Sequence, residues 1–229
     1  MPDIDSAALF DDWSDTFDAD VGGGGEGFPF AGYDAVLSAT AEAALAVAPR
    51  RVLDLGCGTG TLLARLDHRS PGTELWGVDR SSRMIERARG KVPTASLVIA
   101  DFAGDLTRIG LPRFDAIVST YALHEVSDER KLDLLAHLQT TSLAPTGTIA
   151  IGDIAFERER DRDAVRAQNI GWDHSEHYLV ADLFLDRLAA LGIHATYRQM
   201  SFCGGVLTIP GYSVSRQNRS VAPPPIRSA

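Results

Sequence analysis

The chain has very little cysteine and no long hydrophobic run. Its two cysteines, Cys57 and Cys203, are too few for the disulfide framework of a small secreted protein, so we expect a reducing, cytoplasmic location. A membrane-spanning helix needs about 20 consecutive apolar residues, and the absence of such a run predicts that the chain has no membrane partner. The N-terminus also lacks the basic start and apolar core of a signal peptide.

Basic residues are missing from the first 49 positions, where all the excess acid lies. The ten acids are Asp3, Asp5, Asp11, Asp12, Asp15, Asp18, Asp20, Glu26, Asp34 and Glu42. The remainder of the chain is nearly neutral, and the net charge of the whole chain is −9. A chain of this charge does not attract a phosphate backbone, so we expect no nucleic-acid partner. The acidic segment is either a solvated surface or a region that focuses cationic substrates onto a cleft.

The N-terminal segment has the pattern of two helices. Apolar residues at Leu9, Trp13, Phe17 and Val21 follow the spacing of one helix face. Four glycines at 22–25 cannot continue a helix, so they predict a hinge or flexible loop. A second helix is expected from residue 32 or 33 to residue 48, because helices tend to end before a proline.

An alternation of strands and helices follows. The buried strands are predicted at residues 52–55, 75–78, 97–100, 116–118 and 148–151, and the helices at 62–66, 82–89 and 132–138. Ser81 and Asp128 are the expected N-caps of two of these helices. Strands that alternate with helices predict an α/β fold with a parallel sheet covered on both faces.

The C-terminal part changes character. Helices are predicted at 157–167 and at 180–191, the second with Gly192 as its C-cap. The apolar runs at 193–200 and 206–209 are joined closely and predict an antiparallel hairpin. The proline-rich residues 211–229 are interpreted as a disordered tail.

The strongest motif runs from the first strand into three alternating glycines, Gly56, Gly58 and Gly60, with a helix directly after them. Glycines let a ligand approach the backbone, and a helix N-terminus offers unpaired N–H groups. The third glycine of a dinucleotide fingerprint would fall at Thr61, so that interpretation fails on spacing. The G-K-[S/T] tripeptide of a Walker loop does not occur.

The run from Asp54 to Gly60 resembles the first motif of class I S-adenosylmethionine-dependent methyltransferases. Asp79 resembles their acidic residue for the ribose hydroxyls, and Asp101 with Phe102 resembles their pair near the adenine. The resemblance implies a Rossmann-like, doubly wound, mostly parallel sheet with an antiparallel C-terminal hairpin strand and N-terminal lid helices. The implied cofactor is S-adenosyl-L-methionine. The implied cofactor-binding residues are Asp54, Gly56, Cys57, Gly58, Gly60, Asp79, Arg80, Met84, Asp101, Phe102 and Thr120.

The chain is also similar to the YrrT-like bacterial small-molecule methyltransferases, on motifs at 10–18, 32–34 and 119–124. Phe17 stands where a Tyr is frequent in that group, and Glu125 stands where a second His is common. The resemblance divides the chain into a lid at 1–49, a methyltransferase core at 50–210 and the tail at 211–229. It implies a monomer or homodimer that transfers a methyl group by in-line displacement, with S-adenosylhomocysteine as product.

Candidate catalytic residues follow the fourth strand. His124 titrates near neutral pH and would accept a proton from a hydroxyl acceptor, and Glu125 is a weaker candidate. The candidate substrate-binding residues are Trp13, Phe17, Tyr33, Tyr121, Trp172, His174 and His177. Trp13, Phe17 and Tyr33 would equally serve to pack the lid against the core. His174 and His177 are spaced to share one turn of a helix, but two ligands alone predict no metal site.

Three functions remain open from the sequence. The first is methylation of a small-molecule acceptor by S-adenosylmethionine. The second is an RNA or protein methyltransferase, which the acidic charge disfavours for RNA. The third is a non-catalytic regulator that binds S-adenosylmethionine.

Overall fold

The computed structural model describes residues 11, 13–22, 27–104, 106, 110–168 and 171–212. Residues 23–25 of the predicted glycine hinge, and Glu26 after it, lie outside the described residues. So do Leu9 and residues 213–229 of the predicted tail.

The described residues build one sheet of eight strands. The strands are β1 (Arg51–Leu55), β2 (Glu74–Asp79), β3 (Ser96–Ile99), β4 (Phe114–Thr120), β5 (Leu143–Phe156), β6 (Leu179–Val180), β7 (Thr196–Gln199) and β8 (Gly204–Pro210). Their order is β3-β2-β1-β4-β5-β8-β7, with β6 pairing the end of β5. Strands β1 to β5 are parallel, whereas β8 is antiparallel to both β5 and β7. The predicted mixed sheet and its terminal hairpin are confirmed.

The helices lie between the strands as the alternation predicts. They are α1 (Phe17–Gly22), α2 (Tyr33–Leu45), α3 (Thr61–Arg69), α4 (Ser82–Lys91), α5 (Asp128–Thr141), α6 (Glu159–Ala167) and α7 (Ala181–Ala190), with a 3₁₀ helix at Leu123–Glu125. None of the helices in the described part of the chain is long and apolar enough to span a membrane.

Two of the three helix caps are confirmed and one is wrong. The Ser81 hydroxyl accepts a hydrogen bond from the Met84 amide, as an N-cap should. Gly192 has a positive φ of 75° directly after the C-cap residue Leu191 of α7, which is the left-handed conformation that ends a helix. The N-cap of α5 is Ser127, so Asp128 is its first helical residue, where a carboxylate still favours the positive helix end.

The single N-terminal helix predicted from the apolar spacing is also wrong. The backbone is helical at residues 11 and 13, turns at residues 14–16 and becomes helical again in α1 from Phe17, so two helical pieces replace the one predicted. Polar side chains compete with the helix here, because Asp20 accepts from the Trp13 indole and the Thr16 hydroxyl, both at 2.7 Å. Trp13 and Phe17 therefore meet edge to face at 4.8 Å across a turn rather than along one helix.

Both faces of the sheet are covered, which is why its central strands are apolar throughout. The side chains of β1 and β4 are almost all buried, including Leu53, Leu55 and Ile117. Helix α2 packs on one face with Val36 and Leu37 fully buried. Within the predicted lid of 1–49, α2 thus belongs to the layer that covers the sheet. The lid role of the segment before α2 stays a prediction.

Candidate functional site

A cleft opens at the carboxyl ends of the central strands. Strand order reverses between β1 and β4, and ligands of open α/β sheets bind at this switch point. The lining residues are Phe17, Tyr33, Gly56, Cys57, Gly58, Thr59, Thr61, Leu62, Asp79, Arg80, Met84, Phe102, Thr120, Tyr121, Ala122 and Glu125. Most of the residues predicted to bind a cofactor are therefore brought together in one place.

The glycine loop forms one wall of the cleft. One of its glycines packs closely against the protein, and another faces empty space. Gly56 has φ of 68°, and a Cβ built on it would lie 2.5 Å from the Ala122 Cβ. Gly58 has φ of 50°, yet a Cβ there would meet nothing within 4 Å. The first glycine thus permits packing within the protein, and the second leaves space that a ligand can fill.

Asp79 is held in place at the end of β2 by the backbone around it. Its carboxylate accepts from the Gly58 amide at 2.8 Å and from the Ser81 amide at 2.9 Å. Burial raises the pKa of Asp79, although these amide donors work in the opposite direction. A carboxylate has about four lone-pair sites, so it retains capacity for the two hydroxyls of a ribose.

The buried carboxyl group of Asp54 has unsatisfied hydrogen-bonding capacity. It is 1% exposed, and neither oxygen has a hydrogen-bond partner among the described residues. Burial raises its pKa well above the usual value, and the charge of Asp79 adds to the shift. Its charge also acts on Tyr33 and Cys57, which line the cleft. Asp54 therefore offers two buried carboxyl oxygens as unused hydrogen-bond acceptors beside the cleft.

The N-terminal segment closes over the glycine loop. Phe17 and Tyr33 line the cleft, and the Asp18 carboxylate accepts from the Thr59 hydroxyl at 2.6 Å. Lys91 donates to the same carboxylate at 2.7 Å. Burial raises the pKa of Tyr33 to about 12, so its phenol stays neutral as part of the wall.

Apart from Asp20, which accepts from Trp13 and Thr16 within the segment, the other described acids pair with groups of the core. Asp11 accepts from the Ser81 hydroxyl, and Asp15 forms an ion pair with Arg87. Further along, Asp34 pairs with Arg65 and Glu42 lies 3.9 Å from Arg69. The basic partners lie on α3 and α4. The excess acid of the N-terminal segment is thus largely used to hold it on these two helices.

His124 lies beside the cleft in a network of carboxylates. Its Nδ1 is 2.6 Å from Asp153 on β5, and its Nε2 is 3.8 Å from Glu176. Burial disfavours the imidazolium, but the Asp153 carboxylate more than compensates and raises the pKa of His124 to about 9. Arg80 pairs with the neighbouring Glu125 at 3.0 Å. His124 is 8% exposed and does not line the cleft, whereas Glu125 does.

Several predicted site residues do not line the cleft. They are Trp13, Asp54, Gly60, Asp101, His124, Trp172, His174 and His177. Asp101 is exposed, and its carboxylate accepts from the Ala103 amide at 2.9 Å. Trp172 instead stacks on Phe28, with ring centroids 5.6 Å apart.

The helix turn considered for His174 and His177 does not form. The Asp173 carboxylate accepts from both the amide and the hydroxyl of Ser175, so the backbone makes a local turn instead. Both histidine side chains are exposed. The backbone of His177 nevertheless donates to the His124 carbonyl at 2.7 Å, which brings Glu176 to the site.

Sequence reasoning missed two kinds of site residue. Thr59, Thr61 and Leu62 follow from the glycine motif itself and could have been added by extending it to the first helical turn. Asp153 reaches His124 from a distant part of the chain. The one sequence signal for Asp153 is a carboxylate two residues after a predicted strand.

Comparison with known proteins agrees with this geometry. A family model described as a methyltransferase domain matches residues 52–147. An uncharacterized methyltransferase of Geobacillus kaustophilus is 32% identical over 205 residues, which cover 84% of this chain and 91% of that protein.

Two solved structures share the fold. The complex of DhpI with SAM and HEP has 18% sequence identity and a TM-score of 0.63, covering 91% of this chain and 98% of that chain. Magnesium protoporphyrin IX methyltransferase of Synechocystis PCC 6803 with bound SAH has 16% identity and a TM-score of 0.65, covering 90% and 100%.

Proposed function

This chain belongs to the methyltransferase domain family, and we propose that its acceptor is a small molecule. As a member of that family it is an enzyme that uses S-adenosylmethionine, which supplies an electrophilic methyl group on a sulfonium. The relatives named as uncharacterized bacterial methyltransferases agree with the YrrT-like resemblance.

The residues of the cleft fit the cofactor in chemistry as well as in place. Asp79 offers carboxylate oxygens for the ribose hydroxyls, and Gly58 leaves open space above the backbone. Asp54 offers two buried carboxyl oxygens that lack a partner among the described residues, and the ammonium group of the cofactor is a donor that would satisfy them. Met84 and Phe102 add apolar walls for a planar base.

The observation that carries the small-molecule proposal is the cover over the cleft. Phe17 and Tyr33 stand over the glycine loop, and Asp18 bonds the loop residue Thr59. A covered cleft excludes water from methyl transfer and admits a compact acceptor more readily than a polymer. The net charge of −9 opposes an RNA substrate for the same reason that it opposes other polyanions.

The name of one neighbour with this fold, a porphyrin methyltransferase, is compatible with the proposal. The neighbour from Synechocystis is named for a porphyrin acceptor, which is a small molecule. We do not assign a porphyrin acceptor to this chain, because its own acceptor depends on the side chains around Tyr121 and Glu125.

The proposal is tested in two steps. Calorimetry with S-adenosylmethionine and with NAD should give binding heat for the first only. Incubation with methyl-labelled cofactor and separate small-molecule, RNA and protein fractions of a bacterial lysate should then place label in the small-molecule fraction. Label confined to RNA or protein contradicts the proposal, and binding without any transfer favours a regulator.

A further inference from the structure

Three side chains of metal-ligand type meet at the wall of the cleft. His124, Glu125 and Glu176 each present a ligand atom, and these atoms all lie within 4.8 Å of one another. We propose that the three residues form a binding site for a divalent transition-metal ion. The function of such an ion in catalysis rests on the proposed methyl transfer, whereas its binding does not.

The imidazole is already oriented as a metal ligand would be. Its Nδ1 faces the Asp153 carboxylate at 2.6 Å, and Asp153 is itself held by the amides of His124 at 3.1 Å and Ile154 at 2.7 Å. Metal-binding histidines commonly donate one ring N–H to a carboxylate, which fixes the ring and directs the other nitrogen to the metal. Here the other nitrogen, Nε2, faces Glu176.

The segment that carries Glu176 is anchored on both sides of this residue. The His177 amide donates to the His124 carbonyl at 2.7 Å, and the buried Lys131 ammonium donates to the His177 carbonyl. On the other side, Asp173 closes the turn that precedes Glu176. Anchoring lowers the entropy lost when a side chain becomes a ligand.

The separation of the ligand atoms suits a small cation after slight closure. Bonds of about 2.0–2.2 Å from a metal to imidazole nitrogen and carboxylate oxygen place neighbouring ligand atoms roughly 3–3.5 Å apart. His124 Nε2 and Glu176 Oε1 are 3.8 Å apart, and all three ligand atoms lie within 4.8 Å of one another, so the separations must close by a few tenths of an ångström to roughly 1.5 Å. Rotation of the two glutamate side chains, 26% and 23% exposed, allows this.

The charged groups around the site have a net charge that a divalent cation would neutralise. Three carboxylates, those of Asp153, Glu125 and Glu176, meet one guanidinium, that of Arg80. Asp173 adds to the negative side, and Lys131 is paired with Asp128. A divalent ion that displaces the proton from Nε2 of His124 balances the three carboxylates together with Arg80.

The ligand set selects the kind of ion. Calcium and magnesium prefer sites built wholly from oxygen, whereas one imidazole with two carboxylates suits zinc, manganese, iron or cobalt. Glu125 lines the cleft, so the ion would stand at its wall and could coordinate a hydroxyl or thiol of an acceptor. A coordinated hydroxyl or thiol loses its proton more easily, which makes it a better methyl acceptor.

The experiment measures metal binding directly on the full chain after chelator treatment and dialysis. Calorimetric titration with Zn²⁺ and with Mn²⁺, together with elemental analysis, should give one ion per chain. Glu176→Gln should weaken binding at least tenfold, and Glu125→Gln provides a second variant. Co²⁺ loading should add visible absorption bands that Glu176→Gln diminishes.

Matched controls separate this site from surface binding. His68→Gln and Glu86→Gln change exposed residues on α3 and α4 and should leave the stoichiometry and affinity unchanged. S-adenosylmethionine binding is measured on every variant, so that its retention shows an intact fold and cleft. No ion bound by the parent chain, or equal affinity in the parent and Glu176→Gln, overturns the metal site while leaving the proposed methyl transfer untouched.

Discussion

The buried Asp54 carboxyl lowers the stability of the folded protein at neutral pH, although it offers acceptor oxygens to the cofactor. Its pKa is raised in the folded protein by burial and by Asp79, so the folded state binds this proton more tightly than the unfolded state. A carboxyl with a raised pKa contributes full stability below its unfolded pKa of about 3.9, and that contribution is lost as the pH rises through the folded pKa.

Asp54→Asn should therefore flatten the decline of stability with pH. We expect the free energy of unfolding to exceed that of the parent by about 1–3 kcal/mol at pH 8, with a smaller difference at pH 4, because a buried unpaired charge is removed. Urea denaturation at several pH values measures this. Parallel curves for the two proteins would show that Asp54 is not the group responsible.

Asp79 and Asp101 provide a second comparison at the same scale. Asp79→Ala should weaken S-adenosylmethionine binding by roughly ten- to a hundredfold, because hydrogen bonds to a charged group contribute about 1.5–3 kcal/mol. Asp101→Ala should have a smaller effect, since Asp101 is exposed and bonds its own backbone. Calorimetry on both variants tests this, and an equal loss would restore Asp101 as an adenine contact.

The two glycines of the loop should respond differently to alanine. Each substitution should lower the free energy of unfolding by about 1–2 kcal/mol, because a residue with a Cβ disfavours the left-handed backbone. In Gly56→Ala the new methyl also collides with Ala122, so unfolding should be easier still. In Gly58→Ala the methyl enters open space, so cofactor affinity should fall more than stability. Thermal denaturation and calorimetry measure the two quantities, and identical losses of stability would contradict the packing role of Gly56.

At the scale of elements, α4 holds the N-terminal segment through Lys91. This ammonium bonds Asp18, Thr59 and Thr61 at 2.7–3.0 Å, so it joins α1 to the glycine loop. Lys91→Met keeps the apolar stem but removes these bonds. Because partly exposed ion pairs contribute about 0–1 kcal/mol, we expect S-adenosylhomocysteine to dissociate up to about fivefold faster.

Stopped-flow dissociation measures this effect. Arg89→Met is the matched control, because Arg89 is exposed on the same helix. A similar acceleration in both variants would mean that Lys91 acts only through the charge of α4. An unchanged rate in Lys91→Met would remove α1 as a lid.

At the scale of the whole molecule, the uneven charge acts within the chain. The described acids before residue 50 pair mainly with α3 and α4, so less of their field remains for steering a cationic substrate. That steering stays a hypothesis, to be tested by salt dependence with a cationic acceptor.

Salt should loosen the N-terminal segment selectively. The Debye length falls from about 10 Å at 0.1 M to about 3 Å at 1 M, which screens exposed pairs while leaving the buried sheet unaffected. Hydrogen exchange of amides 17–22 should quicken between 0.05 and 0.5 M NaCl, and that of amides 51–55 should not. Equal protection of 17–22 at both concentrations would show that apolar contacts alone hold the segment.

Local features of the chain predicted most of the fold. The alternation of apolar strands with helices gave β1 to β5, and the closely joined runs near Gly204 gave the hairpin. The N-terminal helix is interrupted at residues 14–16, because apolar spacing ignores the competition between the Asp20 side chain and the backbone. Asp128 was taken as a cap in place of Ser127, a shift of one residue that pattern alone does not resolve.

The sequence by itself determined the succession of strands and helices along the chain, the glycine loop and the carboxylate at the end of β2. Each of these depends on neighbours a few residues away. Only the tertiary structure decided where the N-terminal acids go and which groups surround His124. Asp153 and Glu176 approach that imidazole from β5 and from the loop before β6, and the buried Asp54 is left without a partner by the packing around it. Such contacts join residues far apart in the chain, and the free energy that brings them together comes from covering the two faces of the sheet.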